Sequence, residues 1–209
     1  MVFRRKIYDK LLRWKNENSK SYSVLLEGAR RVGKSTIAEE FAKNEYASHI
    51  LIDFANVSEA VKSCFDDIHN LDMFFLRLQA ATGKNLIEND SVIIFDEIQL
   101  FPKARQAIKY LVKDGRYHYI ETGSLISIKK NVKDILIPSE EMKIAVHPMD
   151  FEEFAWAMGE EMLIEYIRLC FAKGEPLELS LHNKAMLLFK QYMLVGGMPK
   201  AVCLFIENQ

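Results

Sequence analysis

"LLEGARRVGKSTIAEEF", residues 25–41, passes from an apolar run through two glycines and a Lys-Ser pair into a helical pattern. Within it "GARRVGKS", residues 28–35, fits G-x-x-x-x-G-K-[ST], and it follows a strand pattern and opens a helix, the context that the motif needs. Glycines allow backbone angles and close approaches that a Cβ blocks. Successive N–H groups of such a loop, joined by those of the helix N-terminus, converge on phosphate oxygens. The candidate cradle therefore comprises Gly28, Ala29, Arg30, Arg31, Val32, Gly33, Lys34, Ser35 and Thr36. Lys34 offers a point charge to the β- and γ-phosphates, and the Ser35 hydroxyl offers a ligand to Mg²⁺.

Working outward, residues 22–26, 49–54, 91–97, 117–124 and 141–147 read as five strands, the third a continuous β-branched run of the kind covered on both faces. Between them lie helical patterns. Ile7, Leu11 and Trp14 recur at helical spacing and predict a helix over residues 4–16. Val57, Ala60, Val61, Cys64, Phe65 and Ile68 share a second face, and Leu71, Phe74, Phe75 and Leu78 a third. Pro102 opens a further helix that stops at Gly115. Strands alternating with helices predict an α/β fold with a parallel sheet and right-handed crossovers. After Pro148 three helical patterns follow with no strand between them, which places a boundary near Met149. Residues 1–149 read as the core and residues 150–209 as a small helical, lid-like segment.

The third strand ends in Asp96 and Glu97, at the carboxyl end where open α/β sheets bind ligands. Asp96 is suited to hold Mg²⁺ through water, and Glu97 to polarise a water for in-line attack on a γ-phosphate. The paired acids favour hydrolysis over transfer to a small acceptor, which disfavours a small-molecule kinase. Thr122, or second to it Ser124, is the candidate γ-phosphate sensor at the end of the fourth strand; the alternative is that both merely terminate the strand before a turn. Gln99 reads either as water-orienting or as part of the turn before Pro102.

The chain has 28 basic and 29 acidic residues, so no whole-protein field selects nucleic acid or an anionic membrane. Cys64, Cys170 and Cys203 form no CxxC pair and suit a reduced chain. No apolar run reaches the ~18 residues of a membrane span, and the start lacks the core of a signal peptide, so a cytoplasmic location is expected. The histidines have no metal-ligand spacing. The "RRK" at residues 4–6 and the lysines at 129 and 130 read as solvated faces, and Trp156 with Phe151 and Phe154 as helical core. Glu27, beside the phosphate loop, is expected to point away from the pocket.

"GARRVGKS", "IIFDEIQLFPKA", "ETGSL", "HPMDFEEFAWAMG" and "YMLVGGMPKAV" occur in that order along nearly the whole chain. In this the chain resembles the bacterial and archaeal AAA-type ATPases that carry an uncharacterised C-terminal domain. The resemblance implies a P-loop NTPase three-layer sandwich with strand order 5-1-4-3-2, ATP and Mg²⁺ as ligands, and a helical segment after the core. It also implies that residues 28–35 bind nucleotide, Asp96 the metal, and that Glu97 is the catalytic base. Adenine over guanine, and any nucleic-acid partner, rest on the resemblance alone; self-association or a protein partner is compatible with it.

Two departures shape the expectation. Family members continue well past GGMP, so this chain reads as the ATPase portion of a longer ancestor, truncated or encoded short. Such sites are completed by an arginine from a neighbour or lid, yet only Arg168 follows Arg116, and residues 125–140 offer Lys129, Lys130 and Lys133 instead. A guanidinium and an ammonium are not interchangeable there. Slow intrinsic hydrolysis by a switch or motor module is the expectation, with a non-hydrolysing nucleotide-binding module as the alternative.

Overall fold

Apolar runs without alternation pair into a sheet that is covered on both faces. In the computed structural model, which describes residues 2–124 and 139–208, the strands are β1 (Ser23–Gly28), β2 (Ser48–Asp53), β3 (Ser91–Asp96), β4 (His118–Ser124) and β5 (Glu141–Val146). All neighbours pair in parallel, in the order β2-β3-β4-β1-β5. That is 5-1-4-3-2 read from the opposite edge, so the expected α/β sandwich is borne out. Lys129, Lys130 and Lys133 lie outside the described residues. The chain divides into two compact units, one of Ile7–Val146 and another of Met1–Lys6 with His147–Gln209.

The first unit adds helices α1 (Ile7–Glu17), α2 (Lys34–Glu45), α3 (Glu59–Cys64), α4 (Leu71–Thr82) and α5 (Pro102–Asp114). The two-residue period of strands sorts their side chains to two faces. Leu25, Ile93, Phe95 and Tyr119 share a core with Phe65, Phe74, Leu78, Ile108 and Leu111, from the stretch spanning α3 to α5. Their alternates, including Ile94 and Ile120, look the other way, and α2 is the helix that meets β1, β3 and β4. Asp96 and Thr122 continue these alternate rows, which carries both to the α2 side at the carboxyl ends of adjacent strands. The helix expected to run through Ile68 ends instead at Cys64 and tightens into a 3₁₀ turn, Phe65–Asp67. Phe65 is there wedged edge-on against Phe54, Phe74, Phe95 and Phe101.

The second unit contains α6 (Phe151–Ala157), α7 (Glu161–Lys173), α8 (Leu179–Val195) and α9 (Pro199–Glu207), one helix more than the three read from the sequence. Its core holds Met149, Phe154, Leu188 and Val202. The DFEEF stretch is a capping box: Asp150 accepts from the Glu153 N–H, while the Glu153 carboxylate accepts from the Asp150 N–H. The GGMP stretch is a chain reversal. Gly196 ends α8 at φ 75 and ψ −174, a region reserved for glycine. Gly197 passes so near Met149 that a Cβ would lie 2.0 Å from its carbonyl oxygen, and its own oxygen accepts from the Met149 N–H at 2.7 Å. Pro199 then opens α9.

The N-terminal residues correct two expectations. The first helix starts at Ile7 rather than at residue 4, and the RRK stretch is not a solvated face. Buried Arg5 pairs with Glu153 at 3.1 Å and donates to the His147 carbonyl at 2.7 Å. Lys6 reaches Asp150 and Glu152, each at 2.6 Å, and the Arg4 guanidinium lies 4.2 Å from the centre of the Trp156 ring. Partners some 145 residues away in sequence, acids for Arg5 and Lys6 and the Trp156 ring for Arg4, hold these three residues, a match invisible to local pattern. Among the described residues no helix is long and apolar enough to cross a membrane, and all three cysteines are free.

Candidate active site

The loop from β1 to α2 owes its shape to its glycines and to one strained residue. A Cβ on Gly28 would lie 2.2 Å from the Val146 carbonyl oxygen of β5, so glycine is required by the sheet as well as by any ligand. Gly33 sits at φ 94, in the left-handed region, immediately before α2. Arg31 is also left-handed, at φ 67. Ala29, Arg30, Arg31 and Thr36 are exposed, Val32 and Lys34 are buried, and Gly33 and Ser35 are intermediate. The Lys34 Nζ donates to the carbonyls of Ala29 at 2.8 Å and Gly28 at 3.2 Å, which folds it back under the loop. Burial is the largest influence on its ammonium and lowers its pKa; the Glu97 and Asp96 carboxylates oppose that, and Arg30 adds to it.

Facing the loop, the ends of β3 and β4 are joined by a chain of hydrogen bonds. The Ser35 hydroxyl donates to Asp96 Oδ1 at 2.6 Å, and the buried Thr122 hydroxyl donates to the same oxygen. Thr122 Oγ1 in turn accepts from the Glu97 N–H at 3.1 Å. Glu97 is left-handed, at φ 53, and its carboxylate accepts from the side-chain amide of buried Gln99. Gln99 is therefore more than a turn residue. Ser124 is buried at the end of β4, on the same row as Thr122. The left-handed non-glycine residues among those described are Arg31, Asn89 and Glu97. Asparagine tolerates that conformation; the other two are strained, and both lie here.

Glu27 lies on the opposite side of β1 from Leu26 and Gly28, on the face that carries a buried charge cluster not foreseen from local pattern. There Arg105 of α5, 2% exposed, pairs with Glu141 at 3.0 Å. Fully buried Glu121 accepts from the Ser23 hydroxyl at 2.8 Å. Burial, and then the Glu141 carboxylate, push Glu121 up to about 8. A carboxylate inside an apolar strand and an arginine flanked by Ala104 and Ala107 were the available signals.

A family model described as an AAA domain matches residues 20–155, more than half of the chain. Among solved structures, the chain is similar to the Orc1 protein of Aeropyrum pernix in complex with DNA, with 12% identity and a TM-score of 0.49 over 78% of this chain and 50% of that chain. It thus spans half the length of that protein. Comparison with curated proteins finds no match.

Proposed function

The chain belongs to the AAA domain family, and from that premise we propose that it binds ATP with Mg²⁺ and hydrolyses the γ-phosphate slowly. The observation that carries the proposal is the hydrogen-bonded chain Ser35–Asp96–Thr122–Glu97, which links the glycine loop to the two consecutive acids at the end of β3 through a hydroxyl from the end of β4. The Ser35 and Asp96 oxygens suit Mg²⁺, which takes one or two protein oxygens and leans on waters and substrate phosphates for the rest. When bound, the ion would offset charge on the β- and γ-phosphates.

The protein's own residues supply the remainder. Backbone N–H groups of residues 28–35 orient the phosphates. Lys34 Nζ exchanges its two carbonyl partners for phosphate oxygens. Thr122 holds Asp96 and the Glu97 backbone in register, and Glu97 orients a water and accepts its proton as the water attacks phosphorus. Gln99, on the Glu97 carboxylate, fixes that group's direction. A turnover on the order of 10⁻² s⁻¹ or below is expected, as for related sites without an added partner.

Glu97→Gln tests the reading. It should bind ATP within about threefold of the parent while turnover drops by roughly 100-fold or more. Unchanged turnover would remove Glu97 from the chemistry. Tight ATP binding by the parent chain with no turnover at all would favour a non-hydrolysing binding module.

A further inference from the structure

The arginines of this chain are nearly all committed elsewhere. Arg4 lies over Trp156, Arg5 pairs with Glu153, and Arg105 pairs with Glu141. Arg116 is held by Asp114 and Asp72, and Arg168 by Glu152 and Glu165. Arg13 is next to Trp14, whose ring meets His118 at the amino end of β4, away from the strand ends that carry Asp96 and Glu97. Arg77 lies on α4, where its charge reaches the Cys64 thiol. The sequence contains no arginine between residues 117 and 167.

Arg30 and Arg31 remain. Both are exposed, both lie inside the glycine loop, and neither makes a hydrogen bond or ion pair with a described residue. Their backbones differ. Arg31 takes the left-handed turn at φ 67 that lets the loop close toward Gly33. Arg30 directly follows Ala29, whose carbonyl anchors the Lys34 ammonium at 2.8 Å. Its charge reaches Lys34, as do those of Asp96 and Glu97. An exposed guanidinium with no ion pair among the described residues thus sits in the loop that carries the phosphate lysine, where charge develops during phosphoryl transfer.

We propose that Arg30 supplies, from within the phosphate loop of the same chain, the guanidinium that stabilises the transferring γ-phosphoryl group. This rests on reading the loop as part of a hydrolysing ATP site. In the reaction an oxygen–phosphorus bond forms from water to the γ-phosphorus and the bond to the β-phosphate oxygen breaks. The water's proton passes to Glu97, and ADP leaves with the bond's electron pair. Arg30 transfers no proton; it donates N–H hydrogen bonds to oxygens that gain charge. A site completed this way works within one chain, and a planar fork cannot be replaced by an ammonium.

The probes are ATPγS for ground-state binding and ADP with aluminium fluoride and Mg²⁺ for the transition state, applied to the full chain. The parent should bind both, and its turnover per chain should not change with protein concentration. Arg30→Ala should keep ATPγS binding within about threefold and lose aluminium fluoride trapping and turnover by roughly 100-fold or more. Arg30→Lys should not restore them. Added guanidinium, at concentrations far below those that unfold proteins, should partly restore turnover in Arg30→Ala but not in Glu97→Gln. Arg13→Ala, at an exposed arginine outside the loop, should still trap the complex, separating the loop guanidinium's role from a general loss of positive charge. Normal trapping by Arg30→Ala, or a turnover per chain that climbs with concentration and is insensitive to Arg30, would overturn the inference while leaving the ATP site standing. Failure of the parent to bind ATPγS would overturn both.

Discussion

Thr122→Val removes one hydroxyl from the middle of the hydrogen-bonded chain while keeping shape and strand preference. That hydroxyl donates to Asp96 and accepts from the Glu97 N–H at 3.1 Å, and its residue is fully buried. The bond to a carboxylate accounts for about 1.5–3 kcal/mol and the neutral one for about 1 kcal/mol. Two effects reduce the loss: Asp96 keeps the Ser35 hydroxyl at 2.6 Å, and the added methyl recovers roughly 0.8 kcal/mol of burial. One raises it, because the left-handed Glu97 backbone, itself strained by about 1–3 kcal/mol, loses the bond that holds it. The net expectation is a loss of about 2–3 kcal/mol in urea unfolding, with ATP turnover down at least tenfold and ATP affinity changed only a few-fold. Thr122→Ser, which keeps the oxygen, should recover most of both. A valine variant within about 0.5 kcal/mol of the parent and of equal turnover would refute the reasoning.

Gly197→Ala puts a Cβ 2.0 Å from the Met149 oxygen, and that oxygen also accepts from the Tyr192 hydroxyl at 3.0 Å. Loss of at least about 3 kcal/mol is expected in thermal unfolding, and a change below about 1 kcal/mol would mean the crossing is not so tight. Arg105→Ala strips Glu141 of its partner beside buried Glu121 and should cost about 3–5 kcal/mol, whereas adding Glu121→Gln should return part of it; no loss would show the cluster to be hydrated. His118, hydrogen-bonded by Ser19 at 3.2 Å and Tyr46 at 2.9 Å, is lowered to about 4, chiefly by burial and then by Lys15 and Lys20. Its folded pKa lies below the unfolded 6.5, so its contribution is present above pH 6.5 and is lost as pH falls through 4. The loss is on the order of 3 kcal/mol. Measured unfolding between pH 7 and 4 should show this slope in the parent and lack it in His118→Asn; identical slopes would contradict the assignment.

The sheet and the phosphate loop were legible because their signals are local. A β-branched run before Asp96 and a glycine loop before a helix need no distant partner to be recognised. The contacts that went unread are non-local. Arg5 and Lys6 look like surface residues until the DFEEF acids arrive from the far end of the chain. Arg105 looks like the polar side of a helix until Glu141 meets it under the sheet. Gly28 shows the limit from within the motif itself: its phosphate role can be read from spacing, but the Val146 carbonyl that forbids a side chain belongs to a strand 118 residues later. The last helix, short and following a Gly-Gly reversal, carried too few turns for periodicity to mark it.

The most direct test is calorimetric titration of ATP into the parent chain and into Lys34→Ala, each with and without Mg²⁺. Binding to the parent should depend on Mg²⁺, and affinity should weaken at least about tenfold without the lysine ammonium. No ATP binding by the parent, or binding indifferent to both Lys34 and Mg²⁺, would contradict the proposed ATP site.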